Sequence, residues 1–80
     1  MRTTGVVLVN GIGIYGLVVS DAHEVRLRVP EAEWRTVGVE AGQVVGVRLP
    51  DRAEAALLVT GVTRVRTGGT VWVHFGWPVG

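Results

Sequence analysis

Two valine-rich runs near the end of the chain decide the fold: residues 57–66 (LLVTGVTRVR) and residues 71–75 (VWVHF), joined by residues 67–70 (TGGT). β-Branched and aromatic side chains favour strands, and a Gly-Gly pair between two such runs is typical of a hairpin turn. The stretch therefore predicts two antiparallel strands that close an all-β chain.

The register of this hairpin decides which side chains meet. A two-residue loop would mix charged and apolar side chains on each face, whereas a three-residue glycine-bulge turn separates them. Because a slip of one residue moves every side chain to the other face, we predict the separating register, with Val65 opposite Val73. The predicted inner residues are Leu57, Val59, Gly61, Thr63, Val65, Thr67, Val71, Val73 and Phe75, and the predicted outer residues are Leu58, Thr60, Val62, Arg64, Arg66, Trp72 and His74.

The outer face of the hairpin is the main candidate for a binding site. Arg66 over Trp72 would form a cation–π pair worth about 0.5–1 kcal/mol. One interpretation is a docking surface for a protein or a flat ligand, since arginine and aromatic residues often anchor interfaces. The alternative is an ordinary cross-strand ladder that covers exposed sheet. The candidate partner- or ligand-binding residues are Arg64, Arg66, Trp72, His74, Leu58 and Val62.

The rest of the chain predicts four more strands, at residues 5–10, 12–20, 25–29 and 44–49, with the hairpin strands at 54–66 and 71–77. Asn10-Gly11 is a turn pair, and the glycines of the second strand suggest a bulge or bend. Pro30 precedes one helical turn at residues 31–36, which Trp34 would pack onto the sheet. Because open strand edges invite aggregation, six strands in 80 residues predict one small closed antiparallel β-barrel.

Length and composition limit how this domain can be stabilised. The chain has 80 residues, 48% of them hydrophobic, and no cysteine. A core this small gives little stability, so we expect a dense aliphatic core, oligomerisation or both. A homodimer that buries Leu58, Val62 and Trp72 would add apolar contact.

The charge balance argues against a protein that holds nucleic acid mainly through its phosphates. Eight basic and seven acidic residues give a net charge of +1. All eight basic residues are arginine, which fits either a coding bias or a preference for forked, stackable cations. The apolar run at residues 5–19 is too short and too glycine-rich to span a membrane, and it lacks the small-residue cleavage site of an export signal. With no such signal and no cysteine, we expect a cytoplasmic protein.

No catalytic or metal-binding signature stands out. His23 and His74 lack neighbours at ligand spacing, so no metal site is predicted. The consecutive Ser20, Asp21 and His23 do not make a triad, whose members converge in space rather than in a row. We therefore predict a non-enzymatic domain without a cofactor; an enzyme would need a partner subunit to supply further residues.

Residues 42–50 (GQVVGVRLP) and 71–75 (VWVHF) resemble strands of PilZ domains, which are small six-stranded antiparallel barrels. The resemblance implies cyclic di-GMP as ligand, held by an Arg-x-x-x-Arg motif and an Asp/Asn-x-Ser-x-x-Gly turn. Here Arg2 is the only arginine near the N-terminus, so the first motif is incomplete. The turn at Ser20 and Asp21 has neither the motif's serine two residues after the acid nor its glycine. The resemblance thus implies a regulatory adaptor that binds a protein partner and has lost the nucleotide, with Arg2, Ser20 and Asp21 as remnants. A cyclic di-GMP receptor with an atypical site is an alternative.

A second resemblance involves residues 29–45 (VPEAEWRTVGVEAGQVV), which are similar to a segment of AbrB-like swapped-hairpin barrels. It implies a dimeric DNA-binding transcription regulator or antitoxin. The long hairpin after Pro50 and the net charge of +1 favour the PilZ-like interpretation.

Overall fold

A computed structural model describes residues 1–78 and contains six strands and one short helix. The strand order β1-β2-β3-β6-β5-β4 closes on itself because β4 also pairs with β1, and every pair is antiparallel. The predicted six-stranded closed β-barrel is confirmed. The elements are β1 (Arg2–Val9), β2 (Ile12–Ser20), β3 (Glu24–Pro30), α1 (Glu31–Val37), β4 (Val44–Arg48), β5 (Ala55–Arg64) and β6 (Thr70–Gly76).

The β1–β2 hairpin turns at Asn10-Gly11, as predicted. Both residues have positive φ, 49° and 81°, which this two-residue turn requires and which asparagine and glycine tolerate. The register then runs without a shift to the far end of the hairpin, so the bulge expected from the glycines of β2 is absent. Gly16 serves a different purpose, because a Cβ there would overlap the carbonyl oxygen of Arg28 on β3.

The barrel interior is almost entirely aliphatic, and α1 packs against it. Pro30 precedes the helix and Gly38 ends it with φ +70°. Trp34 is 6% exposed and meets Phe75 edge-to-face at 6.3 Å, which confirms that it packs the helix onto the sheet. No helix within residues 1–78 is long and apolar enough to cross a membrane. The core consists of Val7, Val9, Ile14, Val18, Val25, Leu27, Val29, Trp34, Val45, Val47, Leu49, Leu57, Val59, Val71, Val73 and Phe75.

The register of the β5–β6 hairpin differs from the predicted one. Val59 lies opposite Phe75, but the next pair is Gly61 with His74, which leaves Thr60 as the extra residue of a β-bulge. Beyond the bulge the pairs include Arg64 with Val71. The predicted pairing of Val65 with Val73 is therefore wrong, since Val73 lies opposite Val62.

The bulge reverses the alternation of side chains along the second half of β5. Opposed residues share a face, so Val62 lies on the side of Val73, and Thr63 lies on the outer side with Trp72. This corrects the predicted outer row at Val62 and Arg64, and the predicted inner positions of Gly61 and Thr63.

The turn of this hairpin is also longer than predicted. Val65 donates its N–H to the carbonyl of Thr70 at 3.0 Å, and Gly68 and Gly69 take φ of 86° and 64°. Val65 is half-buried and outside the core, which corrects its assignment, and Arg66 is exposed in the turn. The inner positions predicted for Val71, Val73 and Phe75 are confirmed.

Candidate functional site

A partly exposed cluster of arginine and aromatic side chains lies on the outer face where β3 pairs with β6. In β3 the alternation VRLRV buries the apolar side chains and leaves Arg26 and Arg28 outside. In β6 the same alternation leaves Trp72 and His74 outside. Arg28 lies opposite Trp72, and Arg26 lies opposite His74. These four side chains are called the arginine–tryptophan face below.

Trp72 is the centre of this face. The guanidinium carbons of Arg26 and Arg28 lie 5.5 Å and 6.0 Å from the centre of its ring system, within cation–π range. Arg28 also donates from Nε to Oγ1 of Thr70 at 3.3 Å. The predicted cation–π pair of Arg66 with Trp72 is wrong, because Arg66 lies in the turn beyond the end of β5.

Polar contacts orient the rest of the face. One carboxylate oxygen of Glu24 lies 3.4 Å from Nε of Arg26, and the other lies 3.8 Å from Nδ1 of His74. Nε2 of His74 is 3.1 Å from Oγ1 of Thr63, which the bulge has turned outward. Exposed ion pairs contribute little to stability, so the main effect of these contacts is to hold the ring and the guanidinium in place.

The structure separates the six residues that the sequence predicted as one binding surface. Trp72 and His74 remain together, and Leu58 lies on the same outer face, opposite Gly76. Arg64 instead points to α1, where its Nε lies 3.0 Å from the Glu31 carboxylate. Val62 is 42% exposed but lies on the other side of the hairpin, so the predicted Leu58–Val62–Trp72 patch is wrong.

The three residues named as a remnant nucleotide site have local structural contacts. Ser20 is 7% exposed, and its carbonyl accepts a hydrogen bond from the Met1 ammonium at 2.6 Å. Asp21 Oδ1 accepts the backbone N–H groups of Glu24 at 2.9 Å and His23 at 2.7 Å, and these bonds lower the pKa of Asp21. Arg2 is exposed on β1 opposite Val19.

Arg26 and Arg28 were missed as site residues, although their strand was predicted correctly. The signal in the sequence was the alternation itself, which already placed two arginines on the polar side of β3. The alternation does not show that β3 pairs with β6, because the partners Arg28 and Trp72 are separated by more than half of the chain.

Comparison with family models, with curated proteins and with solved structures finds no match to this chain. Within residues 1–78, no group of three or more histidine, aspartate or glutamate side chains is arranged to hold a metal ion.

Proposed function

We propose that this chain is a non-enzymatic, PilZ-like adaptor module that binds an acidic segment of a protein partner through the arginine–tryptophan face. The observation that carries the proposal is the placement of Arg26 and Arg28 against the half-buried indole of Trp72 on the outside of the barrel. Arginine and tryptophan are the residues most often found as anchors of protein interfaces.

The charge of the face favours an acidic partner. Glu24 is the single carboxylate in contact with the four side chains among residues 1–78, against the two positive charges of Arg26 and Arg28. Each guanidinium carries five donors, and the hydrogen bond of Arg28 to Thr70 uses one of them. The remaining donors suit carboxylates, and the indole suits an apolar or aromatic neighbour of those carboxylates.

The position of the face inside the sheet favours recognition by side chains. Since β3 pairs with β2 and β6, and β6 pairs with β3 and β5, a partner strand cannot extend the sheet there through backbone hydrogen bonds. The partner must therefore contact outward-facing side chains, and the arginine–tryptophan face offers these on two neighbouring strands.

The six-stranded closed barrel is the fold that the PilZ resemblance implies. Loss of cyclic di-GMP binding is supported by the local contacts of the remnant residues: the carboxylate of Asp21 holds its own turn and Ser20 is buried. The adaptor role implied for such domains is thus compatible with the geometry of the arginine–tryptophan face and with that of the remnant residues.

The test is fluorescence anisotropy of a labelled glutamate-rich peptide that contains one aromatic residue. We expect Arg28→Gln to weaken binding about tenfold, equivalent to 1.4 kcal/mol. Arg66→Gln is the matched control, because it removes the same charge from the exposed turn and should leave the affinity unchanged.

Three results would contradict the proposal. Equal losses in the two variants would mean that binding follows overall charge rather than this face. Tighter, salt-dependent binding of duplex DNA than of the peptide would support the AbrB-like alternative of a DNA-binding regulator. Micromolar binding of cyclic di-GMP would show that the nucleotide site is retained.

A further inference from the structure

Two adjoining depressions lie across the barrel from the arginine–tryptophan face, where β4 pairs with β1 and turns toward β5. The larger has a volume of about 600 Å³ and the smaller about 230 Å³. They share Arg48 and Pro50. The larger is lined by Arg48, Pro50, Asp51, Arg52, Ala53 and Glu54, and the smaller by Val6, Leu8, Arg48, Leu49 and Pro50.

The larger depression holds two positive and two negative side chains that do not pair. Within residues 1–78, neither arginine forms an ion pair with Asp51 or Glu54, although all four line the same space. The fold contributes to this separation. Arg48 ends β4, Arg52 donates its N–H to the carbonyl of Leu49 at 3.2 Å, and the Glu54 carboxylate lies over Gly46.

We propose that the two depressions together bind a free apolar amino acid. Its α-carboxylate would meet Arg48 and Arg52, and its α-ammonium would meet Asp51 and Glu54. Its side chain would enter the smaller depression, whose apolar wall includes Val6.

The lining selects a zwitterion over a simple ion. A carboxylate alone would be repelled by two acidic side chains, and an amine alone by two arginines, whereas an amino acid complements both pairs. The smaller depression, of about 230 Å³ and open to solvent, is large enough for one branched or aromatic side chain. Exposed Val6 and half-buried Leu8 gain apolar contact there.

The test is an amide-resolved NMR titration of the full chain with L-leucine at millimolar concentrations. We expect saturable shifts at Leu8, Arg48 and Arg52. Arg48→Gln and Glu54→Gln should each weaken binding about tenfold, because each removes one charge-assisted contact. Arg66→Gln should bind leucine like the unaltered chain, and the dispersion of each spectrum reports whether the variant is folded.

Three analogues separate the parts of the proposal. Isocaproate lacks the ammonium group, isoamylamine lacks the carboxylate and glycine lacks the side chain, so each should bind more weakly than leucine. Isocaproate binding as tightly as leucine would overturn the assignment of a zwitterion site. Leucine shifts absent from Leu8, Arg48 and Arg52, or unchanged by both variants, would overturn the site itself. Because these readouts do not involve the arginine–tryptophan face, they are independent of the acidic-peptide result.

Discussion

Asp21 stabilises the turn between β2 and β3 with a single carboxylate oxygen. Two backbone N–H groups, from Glu24 and His23, donate to this oxygen. Both bonds favour the ionised carboxylate, so the pKa of Asp21 falls below its ordinary value of 3.8. A residue that the sequence suggested as part of a nucleotide site therefore has a clear role in the fold.

The lowered pKa predicts a pH-dependent contribution to stability. A carboxyl group whose pKa is lower in the folded than in the unfolded state stabilises the fold at a pH above its pKa in the unfolded state. This stabilisation is lost as the pH falls through its pKa in the folded state. Asp21→Asn keeps the acceptor oxygen but removes the charge. We expect urea unfolding to show the variant less stable at neutral pH and equal to the unaltered chain in strong acid. If the variant is still less stable than the unaltered chain by the same amount in strong acid, the ionised carboxylate of Asp21 is not the cause.

The close approach of the backbone at Gly16 predicts that a larger residue there destabilises the fold. A Cβ at this position would overlap the Arg28 carbonyl oxygen and Cγ1 of Val29, and a strand backbone cannot easily move away. We expect Gly16→Ala to lower the free energy of unfolding by about 1–3 kcal/mol.

Gly13→Ala on the same strand is the matched control. Its Cβ would make ordinary contacts with Val6 at 3.4 Å and Leu8 at 3.5 Å, so its stability should stay within about 0.5 kcal/mol of the unaltered chain. Chemical denaturation compares both variants. Equal stability of the two would show that the close approach of β2 and β3 does not constrain residue 16.

Among the elements, the β5–β6 hairpin shows most clearly what the sequence can and cannot predict. Valine-rich runs around Gly68-Gly69 predicted the two strands, and the alternation of β6 predicted its inner face correctly. The predicted register is wrong because the alternation along β5 is broken: the bulge at Thr60 and Gly61 reverses it. A glycine inside a strand is typical of bulges, but it does not say which partner residue the bulge opposes.

Helix α1 is held by two kinds of contact of unequal strength. Trp34 is buried against Phe75, while Glu31 pairs with Arg35 at 3.3 Å and Arg64 at 3.0 Å near the surface. We expect Trp34→Ala to cost about 3–5 kcal/mol, because it leaves a large cavity under the helix. Arg64→Gln should cost less than about 1 kcal/mol, since its side chain is 75% exposed.

Thermal and urea unfolding of the two helix variants rank these contributions. A cost for Arg64→Gln as large as that for Trp34→Ala would mean that the ion pairs, and not the buried indole, hold the helix to the barrel.

At the scale of the whole molecule, closure of the barrel could be predicted, but the order of its strands could not. Strand count and chain length favour closure, and both are visible in the sequence. The pairing of β3 with β6 joins segments that are distant in the chain, and no local pattern encodes it. This pairing brings Arg26 and Arg28 to Trp72, so the candidate site could be predicted only in part, through Trp72 and His74.

The same holds for the proposed amino-acid site. It depends on the pairing of β4 with β1, which places Arg48 opposite Leu8. Its four charged residues lie in one continuous segment, residues 48–54, and only Val6 and Leu8 join them because β1 pairs with β4. Both proposed sites therefore include residues that strand pairing brings together from distant parts of the chain.

The indole N–H signals of the chain report whether the arginine–tryptophan face is the docking surface. In an NMR titration with the glutamate-rich peptide, we expect the Trp72 signal to shift in a saturable way, together with the amides of Arg26, Arg28 and His74. The signal of buried Trp34 should stay in place. A Trp72 signal that does not move while the amides of the Arg66 turn shift would contradict the account.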